Sequence, residues 1–177
     1  MHKTLNHRRY PMRGLTLVEL LVTTAVLASL LDLAVPAMGQ LLAQWQRNSA
    51  TKLFTAHFQL ARSSAIKTSR RIVMCNSIDG LLCANTNHKE WIGGWIVFPD
   101  SNANSQRESA ETIIVASGPT VGLKSFIASN KIRQFVFKPN GLMSSGMSTL
   151  TVIPKNGSTM KIIISRTGRF RLSEASN

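Results

Sequence analysis

A chain of 177 residues, 44% of them hydrophobic, can hold one globular domain of ordinary size plus an appendage, which argues against a multidomain enzyme. Its 21 Lys and Arg against 8 Asp and Glu give a formal net charge of +13, far from the balance of most soluble domains, so an anionic partner, nucleic acid or lipid, has to be considered. The surplus is unevenly placed: residues 1–14 hold four basic and no acidic side chains, residues 47–71 six and none, and residues 131–177 eight against Glu174 alone, while 72–130 is slightly acidic.

The chain opens on that short basic leader and continues into Leu15–Val35, nearly all apolar or small. As a helix rising about 1.5 Å per residue this run reaches about 31 Å, close to one bilayer core. A secretory signal would be cut at a small-residue site after its apolar region, and Ala34-Val35-Pro36-Ala37 offers one, but the run is long for a signal sequence. Glu19 lies inside it, where a carboxylate is costly and either marks a function or reaches the headgroup region. Asp32, near the other end, reads as an interfacial acid.

Pro36 removes a backbone donor and crowds the preceding turn, which predicts a kink. Beyond it Leu41, Leu42, Trp45, Leu53, Phe54, Phe58, Leu60, Ala61 and Ala65 recur near helical spacing, with Arg47, Lys52, Arg62 and Lys67 among the polar positions. After Arg71 the pattern turns to short β-branched and aromatic runs: Ile72–Met74, Trp95–Phe98, Thr112–Val115, Phe135–Phe137, Leu150–Ile153 and Lys161–Ile164. Pro139-Asn140-Gly141, Asn156-Gly157 and Thr167-Gly168 punctuate the last segments and predict antiparallel hairpins there. Residues 100–111, rich in Ser, Asn and Gln, read as an exposed loop with little packing.

Arg13-Gly14-Leu15-Thr16-Leu17-Val18-Glu19-Leu20 resembles the prepilin cleavage motif of type IV pilins and type II secretion pseudopilins. The resemblance implies cleavage by a prepilin peptidase between Gly14 and Leu15, with Leu15 standing where the family usually has phenylalanine. It also implies that Glu19 pairs with the N-terminal amine of a neighbouring subunit during filament assembly. Leu60–Ile66, Val73–Ser77, Trp91–Phe98 and Ile164–Arg171 are similar, in this order, to the FimT/GspH family of minor pilins and pseudopilins.

The implied fold is α+β and type IV pilin-like: a long N-terminal helix, transmembrane in its first half and amphipathic in its second, packed on an antiparallel β-sheet head. The implied divisions are a leader (1–14), a hydrophobic transmembrane or filament-core helix (15–36), an amphipathic helix (37–71) and a β-rich head (72–177). The expected partners are other pilins or pseudopilins, the peptidase and the inner membrane. The leader would be cytoplasmic by the positive-inside rule and the head periplasmic, before incorporation into a pilus or pseudopilus.

Cys75 and Cys83 are the only cysteines, and in that compartment a disulfide fits them. A metal site with His88 is the rival, but no second Cys or His pair completes four ligands at the usual spacing. His2 and His7 lie in the leader and His57 on the helix, and no P-loop, GxSxG or paired-carboxylate pattern appears, so neither catalysis nor a cofactor or metal is expected. Trp91 and Trp95 could stack on bases but read more readily as core.

Two functions remain. Gly168-Arg169-Phe170-Arg171 resembles the Gly-Arg-x-Arg motif implicated in DNA binding by FimT-type proteins of competent bacteria. In an extended segment Arg169 and Arg171 share a face while Phe170 turns inward, and Lys161, Arg166, Lys138 and Lys155 could extend a phosphate-binding patch. This reading is a minor pilin that binds DNA non-specifically for uptake in natural transformation. The other is a structural minor pilin or type II secretion pseudopilin without DNA binding, its basic side chains simply solvated. A head resting on anionic lipid is a weaker fit, because no basic amphipathic helix with aromatic residues is present.

Overall fold

In this computed structural model the residues described are 16–85 and 89–175. The chain divides between Met38 and Gly39 into two compact units, each taken by itself below.

In the first unit the Thr16 hydroxyl accepts the Glu19 N–H at 3.2 Å and starts helix α1 (Leu17–Thr68). Thr16 followed three residues later by Glu19 is the pattern of a capping box, in which a hydroxyl satisfies a backbone donor that no helical carbonyl can reach. In this stretch Leu17, Leu21, Leu27, Leu31 and Met38 are among the exposed large apolar side chains. With a mean hydropathy of 2.0 over its most apolar window, the helix is long and apolar enough to cross a membrane. Thr23, Thr24 and Ser29 each donate to a carbonyl three or four residues earlier, so these hydroxyls are satisfied without water. The predicted kink does not end the helix, since α1 continues through position 36.

In the second unit α1 buries Ala43, Arg47, Ala50, Phe54, Phe58, Ala61 and Ala65, three or four residues apart, as one helical face. Among the described residues eight strands follow: β1 (Ile72–Asn76), β2 (Trp95–Pro99), β3 (Val115–Ser117), β4 (Leu123–Ala128), β5 (Gln134–Phe137), β6 (Ser148–Pro154), β7 (Thr159–Ile164) and β8 (Phe170–Ala175). They form two antiparallel sheets, ordered β3-β2-β1-β5 and β4-β6-β7-β8. The shared core is aromatic: the Phe54 ring lies 5.3 Å from each of Trp91, Trp95 and Phe126, edge-on. The α+β fold with a long N-terminal helix on antiparallel sheets is therefore present.

Five of the six predicted strands are found, and the sixth is displaced. The ladder begins at Val115 rather than Thr112, because the Glu111 carboxylate holds the preceding loop by accepting the N–H groups of Ser101 and Glu108. Those same bonds correct the reading of 100–111 as a loop with little packing, since Asp100, Ser105 and Glu111 are buried. β4 escapes the sequence pattern because a register shift between Leu123 and Ser125 breaks its alternation.

The hairpins at Asn156-Gly157 and Thr167-Gly168 join β6 to β7 and β7 to β8 as expected. Pro139-Asn140-Gly141 does turn the chain and returns Met143 against Phe137 and the Ser144 N–H to the Val136 carbonyl, but no strand grows from it, and β5 pairs with β1 in the other sheet. That turn is thus a corner between sheets rather than a β5–β6 hairpin.

Candidate functional site at the basic end of the second sheet

The β7–β8 turn is shaped by Gly168. Its φ of +72° lies where a side chain is strained, and an added Cβ would sit 3.0 Å from the Arg62 side chain. Arg62 reaches from α1 to donate to the carbonyls of Gly141 (3.2 Å) and Gly168 (3.4 Å), and the Met143 N–H donates to the Arg166 carbonyl at 3.1 Å. The turn after β5 and the turn after β7 are therefore fastened together, which brings Lys138, Arg166 and Arg169 to one end of the head. All three side chains are exposed.

Phe170 is half-buried with its ring 6.4 Å from Phe58 and perpendicular to it, while Arg169 and Arg171 on either side are exposed. The inward phenylalanine and outward arginines match the alternation of an extended segment. In the ladder Arg171 stands opposite Ile163 and Lys161 opposite Ser173, so Lys161 and Arg171 are diagonal neighbours on the outer face. Arg169 and Arg171 both line an open groove of about 520 Å³ whose apolar wall includes Met147 and Ile163. Lys155 is not part of this grouping: it precedes the β6–β7 hairpin at the opposite end of β7, about 20 Å away at 3.3 Å per residue.

Glu174 is the one acidic residue in 131–177, and its carboxylate accepts from the Ser158 hydroxyl and, at 2.6 Å, from Arg47 of α1. These hydrogen bonds, Ser158 first and Arg47 second, together with the charge of Arg47, hold it below the usual carboxylate range. It is thereby engaged with the helix rather than with Arg169 or Arg171. Nothing in the local sequence signals this pairing, which spans 127 positions.

Cys75 and Cys83 form a disulfide, with Cα atoms 5.6 Å apart. Within its ring the exposed Asp79 carboxylate accepts the N–H groups of Leu82 and Leu81 and the Ser77 hydroxyl, which lowers its pKa. Trp91 and Trp95 are fully buried and belong to the core; their indole N–H groups donate to the Ile132 carbonyl and to His57 Nδ1. Because Nδ1 accepts that bond, His57 is neutral, and burial lowers its pKa. No group of three His, Cys, Asp or Glu side chains among the described residues is placed to hold a metal. Glu19 lies in the first turn of α1 and Asp32 is exposed on the same helix. Gly14, Leu15, His2, His7 and His88 lie outside the described residues.

The sequence profile of the family described as type II transport protein GspH matches residues 50–168. The pilin-like protein PilA1 of Thermus thermophilus is 28% identical over 176 aligned positions, covering 90% of this chain and 97% of PilA1. The crystal structure of the type IV minor pilin FimU from Pseudomonas aeruginosa PAO1 superposes with a TM-score of 0.55 at 19% identity, covering 71% of this chain and 91% of that one. The minor pseudopilin EpsH from the type 2 secretion system of Vibrio cholerae superposes with a TM-score of 0.51 at 12% identity, covering 72% and 96%. A profile match over residues 50–168, on a long apolar helix and two antiparallel sheets of the fold these structures share, leads to one conclusion: this chain belongs to the GspH family.

Proposed function

We propose that this chain is a minor pilin that binds DNA without sequence preference through the basic end of its second sheet and serves DNA uptake in natural transformation. The observation that carries the reading is the exposure of Arg169 and Arg171 along one groove, with Glu174, the one acid of residues 131–177, engaged by Arg47. Lys161 shares the outer face, and Lys138 and Arg166 are fastened beside the turn. Paired guanidiniums present planar forks to successive phosphates, and the groove between them supplies shape without base-specific donors. Lys155, at the far end of β7, contributes only to a long duplex lying along the strand.

The leader would be cut between Gly14 and Leu15, and Glu19 would neutralise the amine of a neighbouring subunit in the filament. Its place in the first turn of an apolar helix supports that role, because a carboxylate there needs a positive partner. The chain would pass once through the inner membrane with its head in the periplasm before joining the pilus. The second reading, a secretion pseudopilin whose head contacts other subunits and no nucleic acid, is favoured by the GspH profile itself.

Titrating the purified protein with duplex DNA at several salt concentrations separates the two. With about five cations on phosphates, log affinity falls with log salt at a slope of about −4 to −5, and Arg169→Ala/Arg171→Ala flattens it by about 2. Absence of binding at low salt favours the secretion reading. Independently, Glu19→Ala is expected to leave the head folded and to abolish incorporation into filaments; normal incorporation removes the assembly role.

A further inference from the structure

The loop between β2 and β3 carries the oxygen spacing of a calcium site. Asp100, Asn102, Asn104, Gln106, Glu108 and Glu111 occupy positions 1, 3, 5, 7, 9 and 12 of a twelve-residue segment. This is the spacing at which an EF-hand loop supplies its oxygens: side chains at 1, 3 and 5, a backbone carbonyl at 7, a group acting through water at 9, and a bidentate Glu at 12. Position 6, where such loops require a sharp turn and carry glycine, is Ser105, and it adopts the turn anyway with φ of +62°.

Loop geometry alone would be a solvated turn, and a second observation points to a ligand. The Asp100 side chain is fully buried, and its Oδ1 has no hydrogen-bond partner. The other oxygen, Oδ2, accepts the Ser105 N–H at 3.1 Å and ion-pairs with Arg71 Nε at 2.7 Å. One oxygen is thereby held by the protein, with the same Arg71 also donating to the Ser105 hydroxyl, and the other oxygen is held by nothing. A buried carboxylate oxygen without a donor is costly, and a cation at the loop centre removes that cost.

The remaining donors are arranged compatibly. The Asn102 and Asn104 amide oxygens already accept the N–H groups of Asn104 and Gln106, which fixes their orientation and leaves each a lone pair. Glu111 is buried with both carboxylate oxygens inside the loop, on the N–H groups of Ser101 and Glu108. Glu108 instead accepts from the Asn102 and Asn104 side-chain amides, as suits a group that reaches the ion through water. Amide and carbonyl oxygens make up much of the set, which is why no cluster of three acidic side chains marks it.

We propose that residues 100–111 bind one Ca²⁺ through Asp100, Asn102, Asn104, the Gln106 carbonyl and Glu111. Only two of these ligands, Asp100 and Glu111, are carboxylates, and Arg71 beside Asp100 weakens the attraction, so affinity falls in the range of extracellular calcium modules, Kd about 10⁻⁴–10⁻³ M. Magnesium, smaller and bound to strict octahedral geometry, is served poorly by the seven-oxygen spacing of such a loop. Bound calcium would tie the end of β2 to the start of edge strand β3.

The test is calorimetric titration of the chelator-treated, full-length protein in detergent with CaCl₂ and, separately, MgCl₂, alongside thermal unfolding. One calcium per chain is expected, with magnesium weaker, and a folding constant raised about 11-fold at a calcium concentration ten times Kd. Glu111→Gln should abolish binding. Because Glu111 also braces the loop, Asn104→Ala on the exposed side supplies the second variant: it should fold as the wild type does and weaken calcium at least tenfold. No calcium heat up to about ten times the weakest Kd in that range, or wild-type affinity in folded Asn104→Ala, overturns the proposal.

Discussion

The two sheets of the head divide the work between them. In the first, all five residues of β1 and four of five in β2 are buried, so both faces are covered. One face packs on α1 through Ile72, Met74, Val97, Phe135 and Phe137; the other gathers Val73, Cys75, Ile96, Phe98 and Val136 under the disulfide ring, where Cys83 packs. In the second, β6 alternates buried and half-buried residues along its seven positions, so one face builds the core and the other is open. Doubly covered strands hold the domain together, and a singly covered sheet has an outer face free to carry Lys161 and Arg171. Stability and surface chemistry are therefore separable here by mutation.

The sharpest way to break that separation is through the residue both sheets share. Phe54→Ala removes the ring against which Trp91, Trp95 and Phe126 pack, and should cost about 3–5 kcal/mol in denaturant unfolding. Next in size, removing the disulfide by Cys75→Ala/Cys83→Ala should cost about 2.5 kcal/mol by loop entropy, read by the same titration with DNA affinity retained. A loss of DNA affinity in a folded disulfide variant would mean the two sheets are not independent.

A smaller effect is set by pH. The folded pKa of His57 lies below its ordinary value of 6.5, so the native state resists protonation that the unfolded chain accepts. The stability contributed is complete above about pH 6.5 and is lost as the pH falls from there through the lower folded value. Unfolding measured across that window should show the loss in the wild type and lack it in His57→Gln. Smallest of all, Arg171→Ala on the open face should change stability by less than about 0.5 kcal/mol while weakening DNA binding. A larger destabilisation would make Arg171 a structural residue and remove the contrast.

Much of this molecule is readable from local pattern, because local pattern is where its physics resides. The apolar run of Leu15–Val35, the helical recurrence through Phe54, Phe58, Ala61 and Ala65, the Asn156-Gly157 and Thr167-Gly168 turns and the single possible cysteine pair each depend on neighbours in sequence. So does the placement of Phe170 between two outward arginines, since alternation in an extended segment is a backbone property. Tertiary structure decided the rest, through contacts between residues far apart in sequence. The pairing of β5 with β1 rather than β6, the union of Lys138 with Arg166 through Arg62, the exile of Lys155 to the other end and the capture of Glu174 by Arg47 all join distant segments. No periodicity records such contacts. The buried Asp100 oxygen belongs with them, for spacing can arrange a loop's oxygens, but only the packed head determines which of them is left without a donor.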